Sequence, residues 1–456
     1  MTSSVPGTQQ DLNDIYHQLG RGLTQYLYWA ATGLIAYSDY AELTIISVVL
    51  PSVRCEWNLS TLFETILTMS VFVSYAIFAV IFGRISDIYG RKIVLTTSVI
   101  VLIFAAGASA AAPNKWVFLV GRIVTGACVG INLSTIACYA TELAESKLRM
   151  VGMTIFITSS MVGYIAVNAL GLALLNIVGW RWFIVIASLP VAPALALLIY
   201  LPESPRYYCV SGQQNKAHET LRFMARLNDA SLPENLNVVC KESEDLGSYR
   251  MIFSKTYRNS TICLAVIYFM DIFLEFGLII FLPLYFSSGV CIIEGGGPPP
   301  HVCTPLSTED LANLTLTSLF ALVGVILSIM SSHKLGRLGP IRVTSILQTV
   351  GLALLFICFN KTFSTVVIMA TKAVQSFINT SIWVMLPESF PTDVRSTAVG
   401  FVNGAGKFGG VIGTGCVQFF FYMDPNIVLG LFLATSVIGA IGTFILNKET
   451  KDILLI

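Results

Sequence analysis

The sequence predicts an all-α membrane protein with twelve transmembrane helices in two pseudo-symmetric six-helix halves. Three observations carry that prediction. The first is composition. Of 456 residues, 55% are apolar and only 12% are charged, against about 25% charged in soluble domains. That charge cannot cover a water-facing surface of this size, which excludes an ordinary soluble enzyme and a disordered chain. The second is length. One bilayer crossing takes about 20 mostly apolar residues, so the apolar content suffices for about a dozen. The third is an internal repeat. Asp87-Ile-Tyr-Gly90-Arg91 is echoed by His333-Lys-Leu-Gly336-Arg337. Glu142, seven residues before Arg149, is echoed by Glu388, seven before Arg395. Pro202-Glu203-Ser204 is echoed by Lys448-Glu449-Thr450. The offsets 333−87, 388−142 and 449−203 all equal 246.

Apolar runs punctuated by charge, Pro and Gly place the first six helices at 27–50, 62–83, 93–112, 117–139, 151–174 and 182–201. The second six fall at 261–286, 314–332, 341–359, 364–386, 397–420 and 427–446. The chain thus divides into an N-terminal segment 1–26, a bundle 27–201, a linker loop 202–260, a bundle 261–447 and a tail 448–456. Residues 1–25 are polar, without the basic stretch and short apolar core of a cleavable signal peptide.

Orientation follows from Lys and Arg in the loops. One set of loops holds Arg84, Arg91, Lys92, Lys147, Arg149, the basic 202–260 loop, Lys334, Arg337, Arg342, Arg395, Lys448 and Lys451. The opposite set holds Arg54, Lys115, Arg181 and Lys361, and the 287–312 loop has no Lys or Arg. Both termini and the 202–260 loop are therefore expected in the cytoplasm, the loop as a solvated connector. The net charge of +1 gives nucleic acid no basic surface.

Charges at bilayer depth are costly and mark cavities or paired sites. Asp39 and Glu42 share a face of helix 1, and Asp271 and Glu275 share a face of helix 7 with Tyr268. Helix 10 aligns Lys372, Gln375, Asn379 and Trp383. Helix 11 aligns Asn403, Lys407, Thr414 and Gln418. Helix 4 offers Arg122, Thr125 and Asn132, and helix 5 offers Tyr164 and Asn168. The stripes are expected to line one polar cavity between the halves, with Asp39, Glu42, Arg122, Asn132, Asp271, Glu275, Lys372, Asn379 and Lys407 at its centre. The alternative for each is a buried ion pair that fixes helix packing. Four carboxylates against three bases leave one negative charge over, so one carboxylate can carry a proton.

At the basic helix ends, Gly83 and Gly90 permit a tight turn around Asp87 and Arg91. Glu142–Arg149 and Glu388–Arg395 lie where helices 4 and 10 leave the membrane. Glu203 and Arg206 follow helix 6 in Pro202-Glu-Ser-Pro-Arg206. These groups can form one charged latch between the halves that breaks when they rock apart. Cys291 and Cys303 flank a Gly/Pro run in the charge-poor 287–312 loop and are a candidate disulfide. Sequons at Asn58, Asn313 and Asn360 lie against the apolar runs. No phosphate-binding loop, metal-ligand cluster or cofactor motif is readable, so neither an enzyme nor a metal or cofactor site is expected.

The loop from Gly83 to Lys92 resembles the signature loop of the major facilitator superfamily. Further stretches resemble its synaptic vesicle 2-related branch, close to the organic-ion and sugar-porter branches. These are the helix 1 acids followed by Pro51-Ser-Val-Arg54-Cys55-Glu56-Trp57, Gly179-Trp-Arg-Trp182, Pro202-Glu-Ser-Pro-Arg206, Pro387-Glu-Ser-Phe-Pro-Thr392 with Arg395, and Glu449-Thr-Lys451. The resemblance implies the major facilitator fold and a transporter of vesicle or plasma membranes. His333 stands where the superfamily usually has Asp, which implies a weaker or pH-sensitive second latch. Helix 7 reads Tyr268-Phe-Met-Asp-Ile-Phe-Leu-Glu275, not the Gln-Gln pair of sugar porters. The expected function is secondary transport of a small charged organic solute by alternating access, with proton coupling as an option, by a monomer in the lipid bilayer. The rival is a non-transporting membrane protein that keeps the fold and acts through partners.

Overall fold

The computed structural model describes residues 9–20, 22–142, 149–230, 232, 237–239, 249–288, 306–334, 336–357, 360–390 and 392–446. The side chains of Glu142, Arg149, His333 and Arg395 lie outside that description, as do Cys291, Cys303, Lys448 and Glu449.

Twelve apolar helical segments occur among the described residues. The first half holds α1 (Leu23–Trp57), α2 (Thr61–Tyr89), α3 (Arg91–Ala110), α4 (Lys115–Glu142), α5 (Arg149–Leu170, with a π-turn at Gly171–Leu175) and α6 (Asn176–Ser188, then Val191–Tyr200). The second holds α7 (Arg258–Ser288), α8 (Thr308–Lys334), α9 (Leu338–Leu354), α10 (Lys361–Glu388), α11 (Thr392–Phe420) and α12 (Pro425–Ile445). Each expected span is present. Most helices run past their apolar limits, because a helix does not end where the bilayer does. α1 has 35 residues and is about 52 Å long, against a hydrocarbon core of about 30 Å. Pro51 does not end it, and Pro283 sits at the matching place in α7. Gly179, at φ 77°, kinks α6 within its first turn. Large apolar side chains such as Phe104, Trp116, Ile177 and Trp182 point outward, where lipid is their solvent.

The two halves repeat each other's packing. α1 lies on α5, and α2 and α3 lie on α4. In the second half α7 lies on α11, and α8 and α9 lie on α10. The halves meet along two equivalent seams, α2 with α11 and α5 with α8. Glycine sets the closest approaches within each half. A Cβ at Gly130 of α4 would meet the Tyr75 carbonyl of α2 at 2.3 Å, and one at Gly413 of α11 would meet the Phe273 carbonyl of α7 at 2.5 Å. Backbone cannot yield as a side chain can, so helices must separate to admit a larger residue. Gly413→Val is expected to lower the melting temperature in detergent far more than Gly430→Val, whose Cβ meets nothing within 4 Å. Equal melting temperatures would show that the approach at Gly413 does not constrain the bundle.

The described parts of the N-terminal segment and of the linker pack against each other. A strand at Gln9–Asp11 pairs in parallel with Asn237–Val239. The helices Leu12–Leu19, Pro205–Val210 and Gln214–Leu227 bury Ile15, Tyr16, Leu19, Ala217, Leu221 and Met224 together. Asn228 ties this small body to α1. Its Oδ1 accepts from Thr24 N–H at 3.0 Å, and its Nδ2 donates to Gln25 Oε1 at 3.0 Å. Short polar segments outside a bilayer can still bury a core when an amphipathic helix spans them, and Gln214–Leu227 supplies that helix.

Candidate functional site

The buried charges sort into two equivalent sets, one in each half. On α1, Asp39 Oδ1 accepts from Asn132 Nδ2 of α4 at 3.0 Å. Glu42 accepts from Arg122 Nη1 of α4 at 3.1 Å and from Ser188 Oγ of α6. On α7, Asp271 accepts from Asn379 Nδ2 of α10 at 2.7 Å and from Gln375 Nε2 at 2.8 Å. Glu275 meets Lys372 Nζ of α10 at 2.8 Å. Each half thus carries an Asp–Asn couple and a Glu–base couple between its first and fourth helices. The repeat reaches individual side-chain partners. Each couple is formed inside its half, where low dielectric strengthens a satisfied pair and penalises a broken one, and Lys372 Nζ also lies 5.5 Å from the ring centroid of Tyr164 on α5 of the other half.

The central cavity lies between the halves. Tyr40, Tyr75, Phe156, Tyr268, Phe276 and Trp383 give it aromatic walls, with Asn379, Asn403 and Lys407 among its polar lining. Of the nine residues expected at its centre, Asn379 and Lys407 line it. Asp39, Glu42, Arg122, Asn132, Asp271, Glu275 and Lys372 are packed behind its wall, where they join the helices of each half. The acids lie there because an α1 face that reaches α4 and α6 cannot also face the other half. Lys407 differs from Arg122 and Lys372. It is 6% exposed, meets no carboxylate among the described residues, and sits 4.8 Å from the centroid of the Tyr75 ring across the α2–α11 seam.

At the basic end the described contacts join groups within one half. Asp87 Oδ1 meets Arg91 Nη2 at 2.8 Å, and its side chain is 62% exposed. Arg337 grips Glu388 with two bonds of 3.0 and 2.9 Å. Arg337 counted for orientation in the sequence, and its partner role was missed. Gly83 lies inside α2 and makes no turn. The turn belongs to Gly90, at φ 103°, whose Cβ would strike Glu203 Oε2 at 2.4 Å. Glu203 accepts from Lys92 N–H at 2.8 Å, a carboxylate at the start of α3, where a helix favours negative charge. The Pro202 carbonyl accepts from Tyr28 Oη and Tyr139 Oη at 2.9 and 3.0 Å. Pro202 and Glu203 therefore knot α1, α3, α4 and α6 of one bundle. Arg206 is partly buried on Pro205–Val210 beside this knot. The expected contacts of Glu142, Arg149 and Arg395 lie outside the described residues.

The charge-poor end carries a polar bridge that the sequence reading missed. Glu64, in the first turn of α2, is 1% exposed. It pairs through both oxygens with Arg54 of α1 and accepts from Gln418 Nε2 of α11, in the other half, at 2.9 Å. Arg54 also lies 4.4 Å from the ring centroid of Tyr422, beyond α11. Around this bridge both halves share one apolar cluster that includes Ile45, Val49, Phe281 and Leu311. The halves are sealed together here. Arg54 looked like a loop residue because the apolar run of helix 1 stops at Leu50, while the helix continues to Trp57.

Cys55 at the charge-poor end and Cys209 at the basic end are each disulfide-bonded to a cysteine outside the described residues, and among the described residues Cys128, Cys263 and Cys416 are free. Cys291 and Cys303, the pair expected from the sequence, lie outside the described residues. Among the described residues no group of His, Cys, Asp and Glu could hold a metal ion.

Residues 32–414 match the family model of the Major Facilitator Superfamily. The chain is 28% identical over 446 residues to the synaptic vesicle 2-related protein of Bos taurus, covering 96% of this chain and 81% of that protein. The Xenopus laevis protein of the same name matches with the same identity and coverage. Among solved structures, the xylose transporter XylE from E. coli, in a partially occluded inward-open conformation, superposes with a TM-score of 0.72. It is 18% identical, with 95% of this chain and 100% of that chain covered, which bears on the fold.

Proposed function

The chain belongs to the Major Facilitator Superfamily, and from that premise we propose that it is a secondary transporter of a small charged organic solute working by alternating access. One observation carries the reading. A cavity with a buried, uncompensated lysine lies between two equivalent bundles whose other buried charges are neutralised inside each bundle. Two rigid bodies with internally satisfied charges can rock about such a cavity without stripping ion pairs in the membrane. The bundles are 27–201 and 261–447, the basic end faces the cytoplasm, and the monomer is the working unit in a vesicle or plasma membrane. Asp87, Arg91, Glu142, Arg149, Glu388 and Arg395 re-pair across the halves when the basic end closes.

Proton coupling is assigned to Asp39. Both oxygens of Asp271 accept hydrogen bonds, whereas Asp39 Oδ2 is buried with no partner, so Asp39 has room to gain and lose a proton. In proteoliposomes, Asp39→Asn is expected to abolish the acceleration of uptake by a pH gradient while sparing solute exchange, which moves no net proton. Equal gradient response in the variant and the native chain rules Asp39 out. No flux for any member of a panel of organic anions, cations and neutral solutes, together with no stabilisation by any of them, overturns the transport reading in favour of a protein that acts through partners.

A further inference from the structure

No carboxylate lines the cavity, and its polar groups with a donor to spare are Lys407, Asn403 and the tyrosine hydroxyls, since the Asn379 amide nitrogen is given to Asp271 and the Ser160 hydroxyl to the Phe156 carbonyl. Lys407 brings an ammonium group with no carboxylate partner among the described residues. Asn403, one turn away on the same face of α11, makes no side-chain hydrogen bond among them. Tyr40, Tyr75 and Tyr268 line the same space, and none of their hydroxyls bonds to another described residue. The acids that could have balanced Lys407 are committed elsewhere, Glu42 to Arg122 and Glu275 to Lys372, and Asp39 and Asp271 to amides. An acceptor-rich anion completes this set, whereas a cation would meet an unpaired lysine of its own sign. A single lysine neutralises one charge. The walls between these donors are rings, among them Tyr75, Phe276 and Trp383, which suit a flat apolar body.

We infer that the solute is an aromatic monoanion, a carboxylate or sulfonate on a ring, whose charge pairs with Lys407 and whose ring lies between Tyr75 and Trp383. This rests on the transport reading above and adds the sign, number and setting of the charge. The ligand also displaces the Lys407–Tyr75 contact, the polar tie across the seam at cavity depth, so binding is coupled to movement of α11 against α2.

The test uses the purified full chain and four probes: benzoate, benzenesulfonate, benzylammonium with the same ring and opposite charge, and phthalate with two charges. Thermal stabilisation and counterflow in proteoliposomes are read together. Benzoate and benzenesulfonate are expected to raise the melting temperature and support counterflow. Benzylammonium should do neither, and phthalate should be at least tenfold weaker. Lys407→Gln should remove the response to the anions, and Lys407→Arg should keep it. Asn403→Leu should weaken it with an unchanged ligand-free melting temperature, which covers the case in which Lys407→Gln does not fold. Counterflow of benzylammonium without either anion overturns the assigned charge and leaves the transport reading standing. An anion response that survives in both Lys407→Gln and Asn403→Leu overturns the site. No response to any probe overturns the aromatic monoanion, and the wider solute panel then decides whether the chain transports at all.

Discussion

Arg122→Leu is expected to destabilise the protein by about 3–5 kcal/mol, because it strands a buried carboxylate. Arg122 and Glu42 are 1% and 2% exposed, and the arginine also donates from Nε to Ser109 Oγ at 3.2 Å. Removing one partner leaves Glu42 with Ser188 alone, deep in a helix bundle with no water to replace the guanidinium. Removing both charges should cost much less, since an apolar pair of similar volume is often as stable as a buried ion pair. Arg122→Leu with Glu42→Gln should therefore recover most of the melting temperature lost by Arg122→Leu. If the double variant melts as low as the single one, the cost lies in packing of the arginine stem and not in the unpaired charge. The same contrast applied to Lys372 and Glu275 should behave alike, because the second half builds the equivalent couple.

That equivalence was only partly legible in the sequence. The offset of 246 aligned the basic helix ends and links Asn132 with Asn379 to within one residue, 379−132 being 247. The first helices of the halves are displaced by less, 271−39 and 283−51 both being 232. The change of offset arises in the loops, 289–307 after α7 against 58–60 after α1. A single offset therefore matched Glu142 with Glu388 but could not match Asp39 with Asp271. The helix identities survive this because each apolar run is long enough to be read alone.

The site was harder to read, because a period of 3.6 says which residues share a face and not which neighbour that face meets. Asp39 and Glu42 share a face, as expected, but that face turns to α4 and α6 of the same half. Lys407 and Asn403 share a face that reaches the other half. No difference in residue type separates the two cases. Tyr40 and Tyr75 were invisible as cavity residues for a related reason: an aromatic in an apolar helix reads the same whether it faces lipid, core or solute.

Gln418→Leu is expected to loosen the charge-poor end. Gln418 supplies the hydrogen bond that joins α11 to the Glu64 carboxylate of α2, and the variant leaves the Arg54–Glu64 pair intact within its own half. A buried hydrogen bond to a charged group is worth about 1.5–3 kcal/mol, which is about 10- to 150-fold in the equilibrium between sealed and open forms. A cysteine introduced at Thr68, fully buried one turn along α2, reports on that equilibrium in a background without other reactive thiols. Its labelling by a membrane-impermeant reagent should accelerate by that factor when Gln418 is replaced. Gln418→Glu should accelerate it at least as much, since it sets a second carboxylate against Glu64. Arg54→Lys should act more weakly, because it keeps the charge and loses only the two-point grip. An unchanged rate at residue 68 in both Gln418 variants would show that the shared apolar cluster of Ile45, Val49, Phe281 and Leu311 holds this end shut by itself. The expectation rests on the contrast between the seams. Of the two places where α2 and α11 exchange polar contacts, Lys407 on Tyr75 is open to a solute and Glu64 with Gln418 is not, so opening the far side of the cavity requires the second to break.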